Sequence, residues 1–168
     1  RPMDIGIPDP ADTKNDEEYD NYYKVFNPAK YDADAWVRFA KESGMQYMVL
    51  ITKHHDGFSQ FDTKLSDYNI MNSPYGRDIV KQFVEACHKH DMRVGLYYST
   101  RDWYHPDYLV GDNRKYDEWY RDQVEELLFS ADRRPARAVA GLLLAASVGR
   151  QPGLAGLPCR WLLAYRKE

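Results

Sequence analysis

Two short apolar runs, residues 46–52 (QYMVLIT) and 94–99 (VGLYYS), constrain this chain more than any other feature in it. Each is nearly continuous rather than alternating, which suits a strand buried on both faces of a parallel sheet. Each is also preceded by a segment of helical period. In the first, Asp32 stands as an N-cap, Ala33, Trp36, Val37 and Ala40 recur at helical spacing, and Gly44 sits where a C-cap belongs. In the second, Asp78 precedes a stripe of Ile79, Val80, Phe83, Val84 and Cys87. A third helix is predicted after Asn113, with Tyr116, Trp119, Tyr120, Val124, Leu127 and Leu128 on one face. Residues 1–27 read as a polar, acidic loop leading into a short helical turn. The order α-β-loop-α-β-loop-α predicts an α/β fold of parallel strands with covering helices.

The connections are asymmetric, and this points to where function lies. Helix-to-strand links are about two or three residues, whereas the strand-to-helix links, 53–77 and 100–113, are long and hold most of the histidines. In a (β/α)8 barrel the active site is built from such loops at the carboxyl ends of the strands. A doubly wound sheet shares the asymmetry. Neither strand is followed by a Gly-rich phosphate fingerprint, so nucleotide binding has little support.

The first long loop opens Lys53-His54-His55-Asp56-Gly57-Phe58. Adjacent histidines at a strand end admit three readings. As metal ligands they point apart unless the backbone turns sharply, and their spacing matches no familiar zinc pattern. As structural residues, one ring satisfies a buried backbone group. As sugar ligands, imidazoles donate and accept hydrogen bonds to hydroxyls, Asp56 can orient a neighbouring ring, and Phe58, Phe61, Trp103 and Tyr104 offer flat apolar surfaces. At the second strand end Tyr97, Tyr98 and Ser99 alternate in direction, so in a barrel either Tyr97 or Tyr98 faces the axis. His88 and His90, on or beyond the second helix, are expected to be solvated surface residues.

These residues carry a family resemblance. The run from Phe26 to Trp36 (FNPAKYDADAW) resembles the "FNP.KFDA..W" segment of glycoside hydrolase family 29, the α-L-fucosidases. So do Tyr47 to Phe58 (YMVLITKHHDGF), Gly76-Arg77-Asp78, and Val94 to Ser99 followed by Asp102-Trp103. The blocks are in order and spaced over about residues 19–129. The resemblance implies a TIM-type (β/α)8 barrel, here partial and made of its N-terminal βα units only, that hydrolyses terminal α-L-fucose with retention. It places His54, His55 and Tyr97 around the fucose ring, with Trp103 at the rim, and it implies a fucosylated glycan or glycoside as partner and no cofactor or metal. Relatives often enter secretory, periplasmic or lysosomal routes. No signal peptide is visible in this chain.

The pattern departs from the family at both ends. Residues 1–18 contain nothing like the upstream "HWG" histidine, and the aspartate nucleophile expected in a "W.DG"-like motif after the third helix is replaced by Phe129-Ser130-Ala131-Asp132-Arg133-Arg134. Asp132 follows the helix too soon to end a buried strand. Residues 139–148 form a strand-like apolar run, but no carboxylate follows it before Glu168. No catalytic residue is therefore identified, and retention needs two carboxyl groups, so the chain alone is expected to be inactive. Composition changes at the same place: residues 131–168 hold seven Lys/Arg and two acidic residues. We therefore divide the chain into a barrel fragment, 1–130, and a divergent tail, 131–168, for which a basic surface helix around 136–147 is one reading and non-homologous sequence another. The net charge of −3 gives no nucleic-acid footprint, no window is long and apolar enough to span a membrane, and two cysteines make no disulfide framework. Cys87 reads as a buried thiol. Besides a truncated enzyme, the sequence leaves open a non-catalytic fucose-binding relative and a partial barrel completed by a partner chain.

Overall fold

A computed structural model describes residues 17–108, 112–131 and 141–145. A four-residue helix, α1 (Glu17–Asp20), and a 3-10 turn (Tyr22–Lys24) lead into two repeats of helix and strand: α2 (Ala33–Glu42), β1 (Tyr47–Lys53), α3 (Ile79–Lys89) and β2 (Arg93–Ser99). A long helix, α4 (Asn113–Ala131), and a third strand, β3 (Gly141–Ala145), complete the described elements. The sheet runs β1-β2-β3 with both pairs parallel. β3 falls within the strand-like apolar run noted at 139–148, and over its residues the surface-helix reading of 136–147 gives way to it.

The predicted capping chemistry is present. The Asp32 carboxylate accepts the Ala35 N–H at 2.9 Å, and Asp78 accepts the Lys81 N–H at 2.7 Å. Gly44 takes φ +84°, a conformation that costs an L-residue about 1–2 kcal/mol. Asp78 also accepts the Asp62 N–H at 3.0 Å, which ties the first long loop to the head of α3. At the far end, α4 starts at Asn113 itself rather than after it, with Asp112 accepting the Arg114 N–H.

The core lies between the sheet and its helices. Val37 and Ala40 of α2, Val80, Phe83, Val84 and Cys87 of α3, Val94, Leu96 and Tyr98 of β2, and Tyr116, Tyr120 and Leu127 of α4 form one buried cluster. Trp36 breaks the expected α2 stripe: it is exposed and packs edge-on to Tyr31. A polar residue sits inside this core because its bonds are met. Gln123 of α4 is fully buried, and its amide accepts the Tyr98 hydroxyl and reaches Thr63 Oγ1 at 3.3 Å.

β1 departs from the expectation of burial on both faces. Tyr47, Val49 and Ile51 are exposed, while Met48 and Leu50 are half-buried and Thr52 is fully buried. The helices cover one face only, and the other stands open along β1. The register with β2 shifts between Ile51 and Lys53, so that Ile51 pairs with Tyr97 and Lys53 with Tyr98. This irregularity places Thr52 and Lys53 both in the interior. His88, in the last turn of α3, and His90, its C-cap, are also more enclosed than expected. His88 is half-buried with a buried, unpartnered Nε2, and His90, half-buried too, contacts Asp34 at 2.8 Å.

Candidate functional site

The strands β1 and β2 end side by side, and their parallel pairing brings the residues that follow them to one rim. Tyr97 shares the open face with its partner Ile51, whereas Tyr98 faces the helices and is fully buried. The His54 and His55 rings stack at 4.2 Å and 20°, and His54 stacks on Tyr97 at 5.8 Å and 17°. Trp103 meets His55 edge-on at 5.5 Å. The structure therefore gathers all four sequence-predicted contact residues, His54, His55, Tyr97 and Trp103, in one continuous set of rings. The other aromatics divide. Tyr104 is exposed and stacks on Tyr68 at 4.2 Å, and Phe58 packs among Tyr23, Phe26 and Tyr68. Phe61 is 1% exposed in the core, and no sugar can reach it.

Beneath the rings lies a clamp that sequence reasoning missed. Lys53 and Asp102 form an ion pair at 2.8 Å with both side chains buried. Burial pushes the Lys53 ammonium down, and the charge and hydrogen bond of Asp102 oppose that shift. Lys53 also lies 4.7 Å from the centre of the Tyr98 ring. Asp102 Oδ1 accepts the N–H groups of Tyr104 and His105, at 3.1 and 2.8 Å. The Trp103 N–H donates to the His55 carbonyl at 2.7 Å. The two rim loops are thus tied by an ion pair and a main-chain bond. The only advance signal was the joint presence of a lysine and an aspartate at successive strand ends.

Gly57 makes this approach possible. Its φ is +85°, and a Cβ there would stand 2.5 Å from Asp102 Oδ1 and 2.8 Å from Tyr104 Cβ. A hollow of about 270 Å³ shares Gly57 and Asp102 with the clamp and is walled by Leu65, Tyr104, His105 and Trp119. The His54 and His55 rings do not line it.

The electrostatics favour neutral hydrogen-bonding groups. Burial, and then the nearby His54, Arg101 and Lys53, lower the His55 imidazole to about 4. His55 is therefore uncharged near neutral pH and can both donate and accept. Burial raises the Tyr97 phenol, partly opposed by Arg101, so it too stays neutral. His55 Nδ1 lies 2.5 Å from Ser99 Oγ. The partner of this ring is thus Ser99, not the Asp56 that the sequence offered. Burial raises the Asp56 carboxyl, against the charges of His54 and Lys53. Among the described residues no group of three or more His, Cys, Asp or Glu side chains is arranged to hold a metal ion.

Comparison with known proteins gives a consistent picture. The family model described as Alpha-L-fucosidase matches residues 11–132. Alpha-L-fucosidase 1 of Arabidopsis thaliana is 35% identical over 107 residues, covering 62% of this chain and 21% of that protein. The human plasma alpha-L-fucosidase is 33% identical over 101 residues, covering 59% and 22%. Among solved structures, alpha-L-fucosidase isoenzyme 1 from Paenibacillus thiaminolyticus superposes with a TM-score of 0.73 at 36% identity, over 79% of this chain and 35% of that one. Alpha-L-fucosidase AlfC of Lactobacillus casei, solved in complex with Fuca(1,6)GlcNAc, gives 0.70 at 31% identity over 79% and 48%. The chain spans about a fifth of the length of the curated relatives it matches.

Proposed function

From the premise that the chain belongs to the α-L-fucosidase family, we propose that its rim is the sugar-holding part of a retaining α-L-fucosidase barrel and that the 168-residue chain binds L-fucose without cleaving it. In this reading β1 and β2 are neighbouring strands of a partial (β/α)8 barrel, with their open face turned to its axis. His54, His55 and Tyr97 hold the hydroxyls of a terminal fucose, and Trp103 borders the ring. The stack of His54, His55 and Tyr97 is the observation that carries this. Its three polar rings stand at the carboxyl end of parallel strands, where barrel enzymes bind substrate. The AlfC complex with a fucosylated disaccharide supports the ligand class.

The chemistry needs more than the rim supplies. Retention calls for two carboxyl groups about 5–5.5 Å apart, one to attack and one to protonate the leaving oxygen. Beside the histidines stand Asp56 and Asp102, and Asp102 is occupied by Lys53 and two N–H groups. Of the two carboxyls beside the histidines, that leaves Asp56 alone for the reaction. L-fucose titrated into the chain should bind, and His55→Ala or Tyr97→Ala should weaken the affinity by about tenfold, the loss of one well-made hydrogen bond. The 4-nitrophenyl α-L-fucoside should release no nitrophenol. Absence of binding would remove the sugar-site reading, and steady turnover would remove the claim that the chain cannot cleave. The bare face of β1 favours one second reading, a partial barrel completed by another chain. A compact monomer in size-exclusion chromatography counts against it.

A further inference from the structure

Ser99 is the last residue of β2, fully buried beneath the stacked rings. Its hydroxyl has two hydrogen-bonding neighbours among the described residues, one main-chain and one side-chain. The Arg101 N–H donates to Oγ at 3.0 Å, and His55 Nδ1 lies 2.5 Å away. A serine hydroxyl has one proton to give and two lone pairs to offer. Arg101 uses one lone pair, so the remaining question is the direction of the contact with the imidazole. If Nδ1 carried the hydrogen, Oγ would accept twice and its own buried proton would have no acceptor. If the hydroxyl donates to Nδ1, the Arg101 main-chain N–H, the Ser99 hydroxyl and His55 Nδ1 are all satisfied. The second arrangement fixes the hydrogen of the neutral ring on Nε2.

We infer that Ser99 is a positioning residue: by donating its hydroxyl proton to Nδ1 it locks His55 as the Nε2–H tautomer, which presents a donor to an acceptor oxygen of the bound sugar. The inference rests on the sugar-site reading for its ligand but not for the tautomer. The surroundings agree with it. Burial, and then His54, Arg101 and Lys53, oppose a second proton on His55, so the ring works as a single oriented donor rather than as a cation. The stacked His54 holds the ring plane from one side and Trp103 meets it from another, which leaves tautomer as the remaining freedom. A ring fixed in the wrong tautomer would turn a lone pair toward a sugar lone pair, and affinity would fall without any change in shape.

The test is nitrogen NMR of the imidazole in the whole chain, with His55 assigned by comparison with His55→Gln. The expected spectrum has an unprotonated-type Nδ1 and a protonated-type Nε2, and in Ser99→Ala the two nitrogens move toward an averaged mixture. Titrating L-fucose should shift the Nε2 resonance in the unsubstituted chain, and Ser99→Ala should bind about tenfold more weakly. A protonated Nδ1 in the unsubstituted chain overturns the inference outright, even if Ser99→Ala fails to fold. So does a folded Ser99→Ala variant with unchanged imidazole shifts. An Nε2–H ring that does not respond to L-fucose leaves the serine lock standing and removes the sugar-site reading instead.

Discussion

Gly57→Ala is the substitution whose effect can be worked most fully from the structure. Two costs apply. The residue holds φ +85°, and a Cβ in the left-handed region costs about 1–2 kcal/mol. The added methyl would also stand 2.5 Å from Asp102 Oδ1. That oxygen cannot swing aside, because it accepts from Tyr104 and His105 while its sister atom holds Lys53. Forcing an extra methyl into such a site costs about 1–3 kcal/mol more. The sum is about 2–5 kcal/mol, a large share of the roughly 5–15 kcal/mol by which domains are stable. Gly44 provides the control. It has φ +84° but nothing within 4 Å of its notional Cβ, so Gly44→Ala should show the strain alone. The gain from restricting the unfolded chain is common to both substitutions and cancels between them. With a urea dependence of about 1–3 kcal/mol per molar, the midpoint of Gly57→Ala should lie about 1 M below that of Gly44→Ala. Equal midpoints for the two variants would refute the claim that the rim loops are wedged together at Gly57.

Three further outcomes are expected. Lys53→Met leaves the Asp102 carboxylate buried without its cation and should lower stability by about 3–5 kcal/mol in urea denaturation; adding Asp102→Asn should recover much of the loss, and a double variant no better than the single one would show that charge pairing is not the cause. The folded His55 ring titrates at about 4 against 6.5 for the free group, so between those values the unfolded chain binds more protons and stability rises with pH, being fully present above 6.5 and lost as pH falls toward 4. His55→Gln should flatten the urea midpoint across that window, and an unaltered slope would count against the assignment. Burial raises the Cys87 thiol to about 12, so peptide mapping after iodoacetamide at pH 8 should find Cys87 unmodified in the folded chain and modified in urea; full native labelling would show that α3 is not packed as described.

Much of the scaffold was legible because it depends on local chemistry. Asp32 and Asp78 stand where a cap must stand, and the stripe on α3 has no face to hide except against a sheet. The rim was legible for the same reason, since long loops after buried strands gather at one edge. Alternation alone did not choose between Tyr97 and Tyr98, because it gives two phases; the family resemblance pointed to Tyr97, and the physical reason for that phase lies in a partner. Here Gln123, 25 residues further on, takes the Tyr98 hydroxyl and so leaves Tyr97 to the open face. The Lys53–Asp102 pair was hidden for a similar reason: a lysine beside two histidines reads as part of the exposed motif until the strand's irregularity is known. Phe61 was misassigned because an aromatic in a polar loop looks like a platform, whereas it is drawn under the loop into the core with Val80 and Phe83. The open face of β1 escaped prediction because an apolar run gives no sign of which neighbours are present to cover it.

The one-residue slip in register near the end of β1 decides which chemistry reaches the surface. Strict alternation after Ile51 would have carried Lys53 upward with it and turned His54 down toward the helices. The slip reverses that order, so the ammonium becomes a hidden rivet and the imidazole emerges as the first ring of the stack. Without the slip a permanent positive charge would stand at that edge in place of a ring that can both donate and accept hydrogen bonds, and the rim would attract anions instead.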